Sequence, residues 1–290
     1  MARVPLLPDF PRPLLWAHRG LSSRAPENSM AAFALARSEG IPGLELDVQC
    51  CKTGELVVFH DETLERICGA AGTVRGTSLQ DLRRLDIASG FGERFGESFG
   101  PSPGDSQGGR QDGPSAASFQ GGPSGTSFHG EKIPLFDEVL EAFGDDCYLD
   151  IEIKTSRHDG GGVPEALVGA LRRHGKRTRA GAISISSFNP LALARFKRLA
   201  PQYPAALIWA DDESIPWYLR RGQGRLALRC DYLKPQAALA GRLASRSRLP
   251  VVAWTVDEPA SAAALLGAGC AGLVSNRPER VREGFPLIRA

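Results

Sequence analysis

Short apolar segments alternate with helix-like segments along most of this chain. Nine segments have the apolar run or the alternation of a β-strand, and they cover residues 14–17, 43–48, 55–59, 147–153, 182–186, 206–210, 226–230, 251–256 and 272–275. Segments with a helical period include residues 29–38, 164–174, 190–200, 236–245 and 259–266. Asn28 and Asn189 stand where helix N-caps belong. Strand–helix alternation of this kind predicts a parallel sheet.

The second and third strand segments are too close in sequence for a parallel crossover, which needs about a dozen residues or more. The intervening Lys52-Thr53-Gly54 is typical of a turn, so residues 55–59 are predicted to form the returning arm of a hairpin. That hairpin places Asp47 roughly opposite His60. The remaining eight segments fit a (β/α)8 TIM-type barrel, with chemistry at the carboxyl ends of its strands. An open doubly wound sheet is the alternative.

One stretch after the second strand does not follow the pattern. Of the 31 residues from 100 to 130, 19 are Gly, Ser or Pro, which is too little apolar surface to offset the entropy of ordering. We therefore predict a single domain over residues 1–290, with residues 100–129 as a flexible insertion on the active face of the barrel.

Composition excludes several classes of partner. The 35 basic residues against 33 acidic ones give a net charge of +2, which favours neither nucleic acid nor a strongly anionic membrane as partner. No stretch of about 18 apolar residues is present to span a bilayer. Residues 1–13 contain four prolines and no apolar signal-peptide core. The expected location is the cytoplasm, with the six cysteines reduced.

Three carboxylates are predicted to meet at the carboxyl ends of neighbouring strands. Glu45 and Asp47 are two residues apart on one strand and therefore share a face, and Glu152 shares a face with Lys154 on another. Carboxylates crowded on apolar strands repel one another and are costly to desolvate unless a cation or a proton offsets them. A hard divalent cation with oxygen ligands, Mg²⁺ or Ca²⁺, is the simplest explanation.

Two histidines and two cations accompany the predicted metal site. His18 and Arg19 follow the first strand, and His60 follows the hairpin. With reference pKa values near 6.5, two imidazoles can supply one acid and one base at neutral pH. Arg19 and Lys154 can neutralise the charge of a phosphate group. Such a set suits hydrolysis of a phosphodiester, which needs an activated nucleophile and a protonated leaving group.

Eight short motifs occur in an order that identifies a family. They are Trp16-Ala17-His18-Arg19-Gly20, Ala25-Pro26-Glu27-Asn28, Glu45-Leu46-Asp47-Val48, Val58-Phe59-His60-Asp61, Gly130-Glu131-Lys132-Ile133-Pro134, Glu152-Ile153-Lys154, Ser186-Ser187-Phe188 and Trp254-Thr255-Val256. The chain resembles the glycerophosphodiester phosphodiesterase family over nearly its whole length except the glycine-rich insertion. The resemblance implies a metal-dependent barrel that hydrolyses small glycerophosphodiesters to glycerol 3-phosphate and an alcohol.

The resemblance also implies roles for individual residues. The metal ligands fall on Glu45, Asp47 and Glu152, and the catalytic histidines on His18 and His60. The phosphate-binding cations fall on Arg19 and Lys154, and Trp254 falls on a position that lines the substrate pocket. Which histidine is the acid, and whether the nucleophile is water or a hydroxyl of the substrate, stay open at this point.

The chain departs from the family pattern at two places. The family commonly has Asn after Trp-Thr-Val, where this chain has Asp257, and it usually has Thr-Asp where this chain has Ser275-Asn276. Two other functions stay open as alternatives. One is a lysophospholipase D-like activity on long-chain diesters, with Phe91 and Phe95 among the candidates for an apolar trough. The other is a metal- or phosphate-binding barrel without catalysis.

Overall fold

The computed structural model describes residues 3–89, 91, 128–175, 180–211, 220, 222 and 228–285. The described residues contain nine strands in one sheet, in the order β7-β6-β5-β4-β2-β1-β9-β8, and β3 pairs with β2. The strands are β1 (Leu14–His18), β2 (Gly43–Cys50), β3 (Leu56–Val58), β4 (Tyr148–Ile153), β5 (Ile183–Ser187), β6 (Ala205–Trp209), β7 (Lys234–Pro235), β8 (Val252–Ala253) and β9 (Gly272–Ser275).

All neighbouring strands are parallel except the β2–β3 pair. Isolated parallel bridges, Leu233 to Val251 and Gln236 to Trp254, connect the two ends of this order. The sheet therefore curls into a nearly closed (β/α)8 barrel, which confirms the predicted fold and excludes the open doubly wound sheet.

Helices follow most of the parallel strands. Those in the described part of the chain are α1 (Met30–Ser38), α2 (Glu65–Cys68), α3 (Leu79–Leu82), α4 (Phe136–Phe143), α5 (Val163–Arg173), α6 (Pro190–Leu199), α7 (Ala237–Ala244), α8 (Pro259–Gly267) and α9 (Pro278–Val281). Asn189 caps α6 as predicted, since its side chain accepts from the N–H groups of Leu191 and Ala192. None of the described helices is long and apolar enough to cross a membrane.

The barrel interior is apolar at one end and charged at the other. Leu14 and Trp16 of β1 and Tyr148 of β4 belong to an apolar cluster with Phe10, whose ring stacks on Tyr148 with centroids 4.2 Å apart. Because side chains alternate along a strand, the faces that carry these residues continue to His18 on β1 and to Glu152 on β4. The inward positions at the carboxyl ends are therefore the polar ones, and they form the floor of the site.

The hairpin forms where the sequence predicts it, but its register differs by one residue. Val48 pairs with Val58, and the N–H of Phe59 donates to the carbonyl oxygen of Asp47 at 3.0 Å. Asp47 therefore lies opposite Phe59, not His60. The cause is a loop of three residues: Cys51 N–H donates to Glu55 O at 3.0 Å, and Gly54 turns the chain with φ +98°.

Two further sequence predictions about local structure are wrong. Ser29, not Asn28, caps α1, since its hydroxyl accepts from the N–H of Ala32. The strand predicted over residues 226–230 is also misplaced. Residues 226 and 227 lie outside the described residues, residues 228–230 are not strand, and the strand at this point of the barrel is β7. The segment 226–230 is more apolar than Lys234-Pro235, and apolar runs are the usual strand signal.

Most of the predicted insertion, residues 100–127, lies outside the described residues. The described segments on either side of it lie together. Ile87 N–H donates to Glu131 O at 3.0 Å, and Gly130 N–H donates to Asp86 Oδ2 at 2.8 Å. The rings of Phe91 and Phe128 also meet, with centroids 5.7 Å apart. The chain therefore leaves and re-enters the described structure at one place.

Candidate active site

Three carboxylates meet at the carboxyl ends of β2 and β4. These strands pair in parallel, with Asp47 in register with Glu152, so the inward faces that carry Glu45, Asp47 and Glu152 are adjacent. One oxygen atom from each carboxylate lies within 4.8 Å of the others, and all three side chains are buried. Asn28 holds Asp47 in place: its Nδ2 donates to Asp47 Oδ2 at 2.8 Å. The structure thus brings together the three residues that the sequence predicts as metal ligands.

The electrostatics of this cluster fit a bound cation. Burial, together with repulsion from Asp47 and Glu152, raises the pKa of Glu45 to about 8 against the opposing charge of Lys234. Burial also disfavours the charged form of Asp47, but the charges of Lys154, His60 and Arg19 outweigh it and hold the pKa of Asp47 well below its usual range. Crowded, buried carboxylate oxygens are the ligands that Mg²⁺ and Ca²⁺ take, so the residues present fit a hard divalent cation.

Arg19 is held beside the carboxylates by its backbone conformation. Its φ is +57°, and the following Gly20 also has a positive φ, so the chain turns sharply as it leaves β1. The Arg19 N–H donates to Glu45 Oε2 at 3.1 Å, and its guanidinium lies 3.4 Å from Asp47 and 2.8 Å from Glu27.

Lys154 lies on the other side of the carboxylates, just beyond β4. Its Nζ is 2.9 Å from Glu152 Oε1 and 3.8 Å from Asp47 Oδ1, and it lies 5.8 Å from the centroid of the Phe188 ring. Burial disfavours the charged form, but Glu152 and Asp47 raise the pKa of Lys154 above its usual value. Two fixed positive charges, on Lys154 and Arg19, therefore flank the candidate metal site.

His18 ends β1 with its imidazole largely buried. Its Nδ1 lies 2.7 Å from Asn276 Oδ1, and its Nε2 lies 4.0 Å from Glu45 Oε2. Burial, with the nearby charge of Arg19, lowers the pKa of His18 to about 3. The imidazole is therefore neutral near pH 7 and can accept a proton.

His60 has a different environment from His18. Its Nδ1 lies 2.6 Å from Asp61 Oδ1, and Arg66 binds both Asp61 and Glu27. The buried amide of Gln49 donates to the carbonyl oxygens of Phe59 and Asp61, at 2.8 Å each, which fixes the backbone on both sides of His60. Because Asp61 holds Nδ1, Nε2 is the ring nitrogen of His60 that is left for a group bound in the cavity.

Lys234 is a functional candidate that the sequence prediction missed. Its Nζ is fully buried and lies 2.7 Å from Asp150 Oδ2, 2.9 Å from Ser186 Oγ and 3.6 Å from Glu45 Oε1. Burial disfavours its charged form, but Asp150 and Glu45 raise its pKa above the usual value. The signal available in the sequence was its position, because Lys234 lies two residues before the predicted helix 236–245, where a strand end is expected.

A cavity of about 180 Å³ lies beside most of these site residues. Its lining includes His18, Arg19, Glu45, His60, Glu152, Phe188, Ile208, Lys234, Trp254 and Val274. Trp254 Nε1 donates to the carbonyl oxygen of Lys234 at 3.1 Å, and its ring meets Phe188 edge to face with centroids 5.5 Å apart. The cavity thus has a charged side and an aromatic side. Lys154 lines a second cavity of about 170 Å³, and Asp47, the third carboxylate of the cluster, is buried.

Comparison with known proteins gives a consistent result. Residues 18–280 match the model of the glycerophosphoryl diester phosphodiesterase family. The chain is 31% identical to a glycerophosphodiester phosphodiesterase of Caldanaerobacter subterraneus over 92% of this chain and 95% of the relative. It is 29% identical to a Bacillus subtilis protein of the same name, over 97% and 89%. A phosphodiesterase of Oleispira antarctica, solved in complex with the product sn-glycerol-3-phosphate, superposes with a TM-score of 0.72 at 24% identity, covering 93% of this chain and 95% of that chain.

Proposed function

Since this chain belongs to the glycerophosphoryl diester phosphodiesterase family, we propose that it hydrolyses glycerophosphodiesters to glycerol 3-phosphate and an alcohol. One observation carries the proposal: two imidazoles, a guanidinium and two carboxylates of the candidate metal site line the same small cavity. A binding protein needs the charges but has no use for two proton carriers. The non-catalytic alternative is therefore less well supported.

Glu45, Asp47 and Glu152 are the residues that would hold a divalent cation, Mg²⁺ or Ca²⁺. When bound, such an ion neutralises charge on the non-bridging phosphate oxygens and orients the phosphate for attack. Arg19 supplies a planar fork for phosphate oxygens in the cavity, and Lys154, beside Glu152 and Asp47, supplies a point charge. Lys234 adds a third positive charge from the cavity floor.

His18 and His60 carry the proton transfers in this proposal. His18, neutral and with Nε2 facing the cavity, removes the proton from the attacking oxygen, whether this is water or a hydroxyl of the substrate. His60, whose Nδ1 is paired with Asp61, protonates the leaving alkoxide from Nε2. Trp254 and Phe188 offer an apolar wall on which the carbon skeleton of the glycerol group can pack.

The long-chain alternative has less support in the described residues. Phe91, one candidate for an apolar trough, packs against Phe128. Phe95, the other named candidate, lies outside the described residues. A cavity of about 180 Å³ suits a compact head group better than an acyl chain.

The test is release of glycerol 3-phosphate from a panel of glycerophosphodiesters. Glycerophosphocholine, glycerophosphoethanolamine and glycerophosphoglycerol are incubated with the protein, with and without exhaustive chelation. We expect release from at least one substrate, loss after chelation, and recovery on addition of Mg²⁺ or Ca²⁺. The double variant His18→Ala/His60→Ala, prepared in the same way, controls for a contaminating enzyme. Equal release from the double variant and the wild type would refute the proposal.

We also propose that residues 1–290 form one domain in which the 100–129 insertion is dispensable for the fold. The contacts of Gly130 with Asp86 and of Glu131 with Ile87 keep the flanking segments together without it. Each doubling of loop length changes the closure entropy by only about 0.6 kcal/mol. Replacing residues 100–129 by a short Gly/Ser linker should therefore leave the melting temperature nearly unchanged. A thermal melt measures this, and a fall of many degrees would show that the segment is packed structure.

A further inference from the structure

The two places where the chain departs from the family pattern, Asp257 and Ser275-Asn276, are in contact in the structure. Asp257 follows β8 and Asn276 follows β9, and the two strands are parallel neighbours. The backbone N–H of Asn276 donates to Asp257 Oδ1 at 2.8 Å, and its side-chain Nδ2 donates to Asp257 Oδ2 at 2.8 Å. The hydroxyl of Ser275 also donates to Asp257 Oδ1, at 3.0 Å. Where the family commonly has an amide and then a carboxylate, this chain has the same pair exchanged.

The exchanged pair fixes which way the Asn276 amide points. An ionised carboxylate only accepts hydrogen bonds, so the amide face toward Asp257 must be Nδ2. Asn276 Oδ1 is thereby turned the other way, where it lies 2.7 Å from His18 Nδ1 and accepts a bond from Ser22 Oγ at 3.2 Å. A carbonyl oxygen cannot donate, so His18 must donate to it, and the proton of a neutral imidazole then sits on Nδ1.

We infer that Asp257 and Asn276 are positioning residues that hold His18 as its Nδ1–H tautomer, with the lone pair of Nε2 facing the cavity. The inference rests on the proposed function, in which Nε2 of His18 accepts the proton of the attacking oxygen. Neither residue lines the cavity, and Asp257 acts through Asn276. Unlike the Asp61 partner of His60, the amide orients the imidazole without placing a carboxylate on it.

These hydrogen bonds predict a different outcome for each of three variants. In Asp257→Asn the side chain beside Asn276 can donate as well as accept hydrogen bonds. The Asn276 amide can therefore rotate and point Nδ2 at His18, which favours the tautomer with its proton on Nε2. In Asn276→Asp two carboxylates face each other at hydrogen-bond distance and repel. In the double variant Asp257→Asn/Asn276→Asp, the new amide oxygen can accept from Ser275 and the backbone, and the amide nitrogen can donate to the new carboxylate. The double variant again points an acceptor oxygen, now of a carboxylate, at His18 Nδ1, so it should recover the Nδ1–H form that Asp257→Asn loses.

The first measurement is the tautomer of His18 in the free protein at neutral pH, from the nitrogen chemical shifts of 15N-labelled histidine. The chain has five histidines, and the His18→Ala variant assigns the signals. We expect a protonated Nδ1 and an unprotonated Nε2 in the wild type and the double variant, and a substantial share of the other tautomer in Asp257→Asn. This readout does not require turnover, so it tests the positioning even if no glycerophosphodiester is hydrolysed.

The second measurement is steady-state kinetics on the best glycerophosphodiester of the panel. Asp257→Asn should lower kcat roughly 10- to 100-fold, as the loss of an orienting partner does, with a smaller change in KM. The double variant should regain most of this loss. The inference is overturned if Asp257→Asn keeps the wild-type tautomer and kcat, or if the double variant is no better than Asp257→Asn. Asn276→Asp is not needed for either decision, so its failure to fold would not affect the test.

Discussion

Replacing His18 or His60 by alanine should lower kcat by about 10²–10⁴-fold, the range typical of general acid–base groups. Each imidazole presents one nitrogen to the cavity while its other nitrogen is held, by Asn276 for His18 and by Asp61 for His60. Truncation therefore removes a positioned proton carrier. The affinity for a divalent cation should change much less, because neither imidazole belongs to the carboxylate cluster. Steady-state kinetics and calorimetric titration with Mg²⁺ measure the two quantities.

A substrate with a better leaving group distinguishes the two histidines. An aryl phosphodiester releases a phenolate that needs little protonation, so it should partly rescue His60→Ala but not His18→Ala. Rescue of His18→Ala alone would reverse the proposed roles, and rescue of neither would mean that neither histidine is the leaving-group acid. His129→Ala is a suitable control, because that imidazole is 89% exposed and lies at the end of the predicted insertion. Its kcat should equal that of the wild type.

The second large effect is expected from the carboxylates. Glu45→Gln, Asp47→Asn and Glu152→Gln each remove one charged oxygen ligand while they keep the size of the side chain. The affinity for Mg²⁺ or Ca²⁺ should fall by more than the ~10–100-fold that a change outside the ligand set costs, and turnover should fall with it. Titration calorimetry on the chelated protein gives the affinity, and glycerol 3-phosphate release gives the turnover.

A buried carboxylate elsewhere in the barrel provides a matched control. Asp231 is as buried as the candidate ligands, and it lies 2.6 Å from Lys197 and accepts from the backbone N–H of Ala205 at 2.9 Å. Asp231→Asn should lower the melting temperature and leave the Mg²⁺ affinity unchanged. If Asp231→Asn and Glu45→Gln reduced Mg²⁺ affinity equally, the loss would reflect general damage to the barrel. Full activity after exhaustive chelation, with no metal found by elemental analysis, would contradict metal dependence altogether.

The alternation of side chains along a strand explains why the shared location of the carboxylates could be predicted from the sequence. Glu45 and Asp47 are separated by two, and the same rule pairs Glu152 with Lys154, so the shared face follows from covalent geometry alone. Neighbouring parallel strands then bring the two pairs to the same end of the barrel. No long-range information was needed beyond the order of the strands.

The residues that were missed or misread depend on tertiary contacts. Asn28 stands next to a helix and resembles a cap, but its φ of +57° turns the side chain toward Asp47, which no local pattern reveals. Lys234 was missed because a lysine before a proline has neither the apolar character nor the length of a strand signal. The charge of its buried ammonium group is balanced by Asp150, and the sequence alone does not show that these two residues are in contact. The predicted hairpin register was wrong by one residue because the length of the loop, and not the pattern of the strands, sets the register.

Each carboxylate around the candidate metal site already has a cationic neighbour within 4.0 Å: Lys234 for Glu45 and Asp150, Arg19 for Asp47, and Lys154 for Glu152. In small zinc domains, by contrast, the ion supplies the folding free energy and the chain is unfolded without it. Here cationic side chains of the protein itself lie beside the carboxylates, so we expect the barrel to fold without a divalent ion. Chelation should therefore stop turnover while it leaves the protein folded.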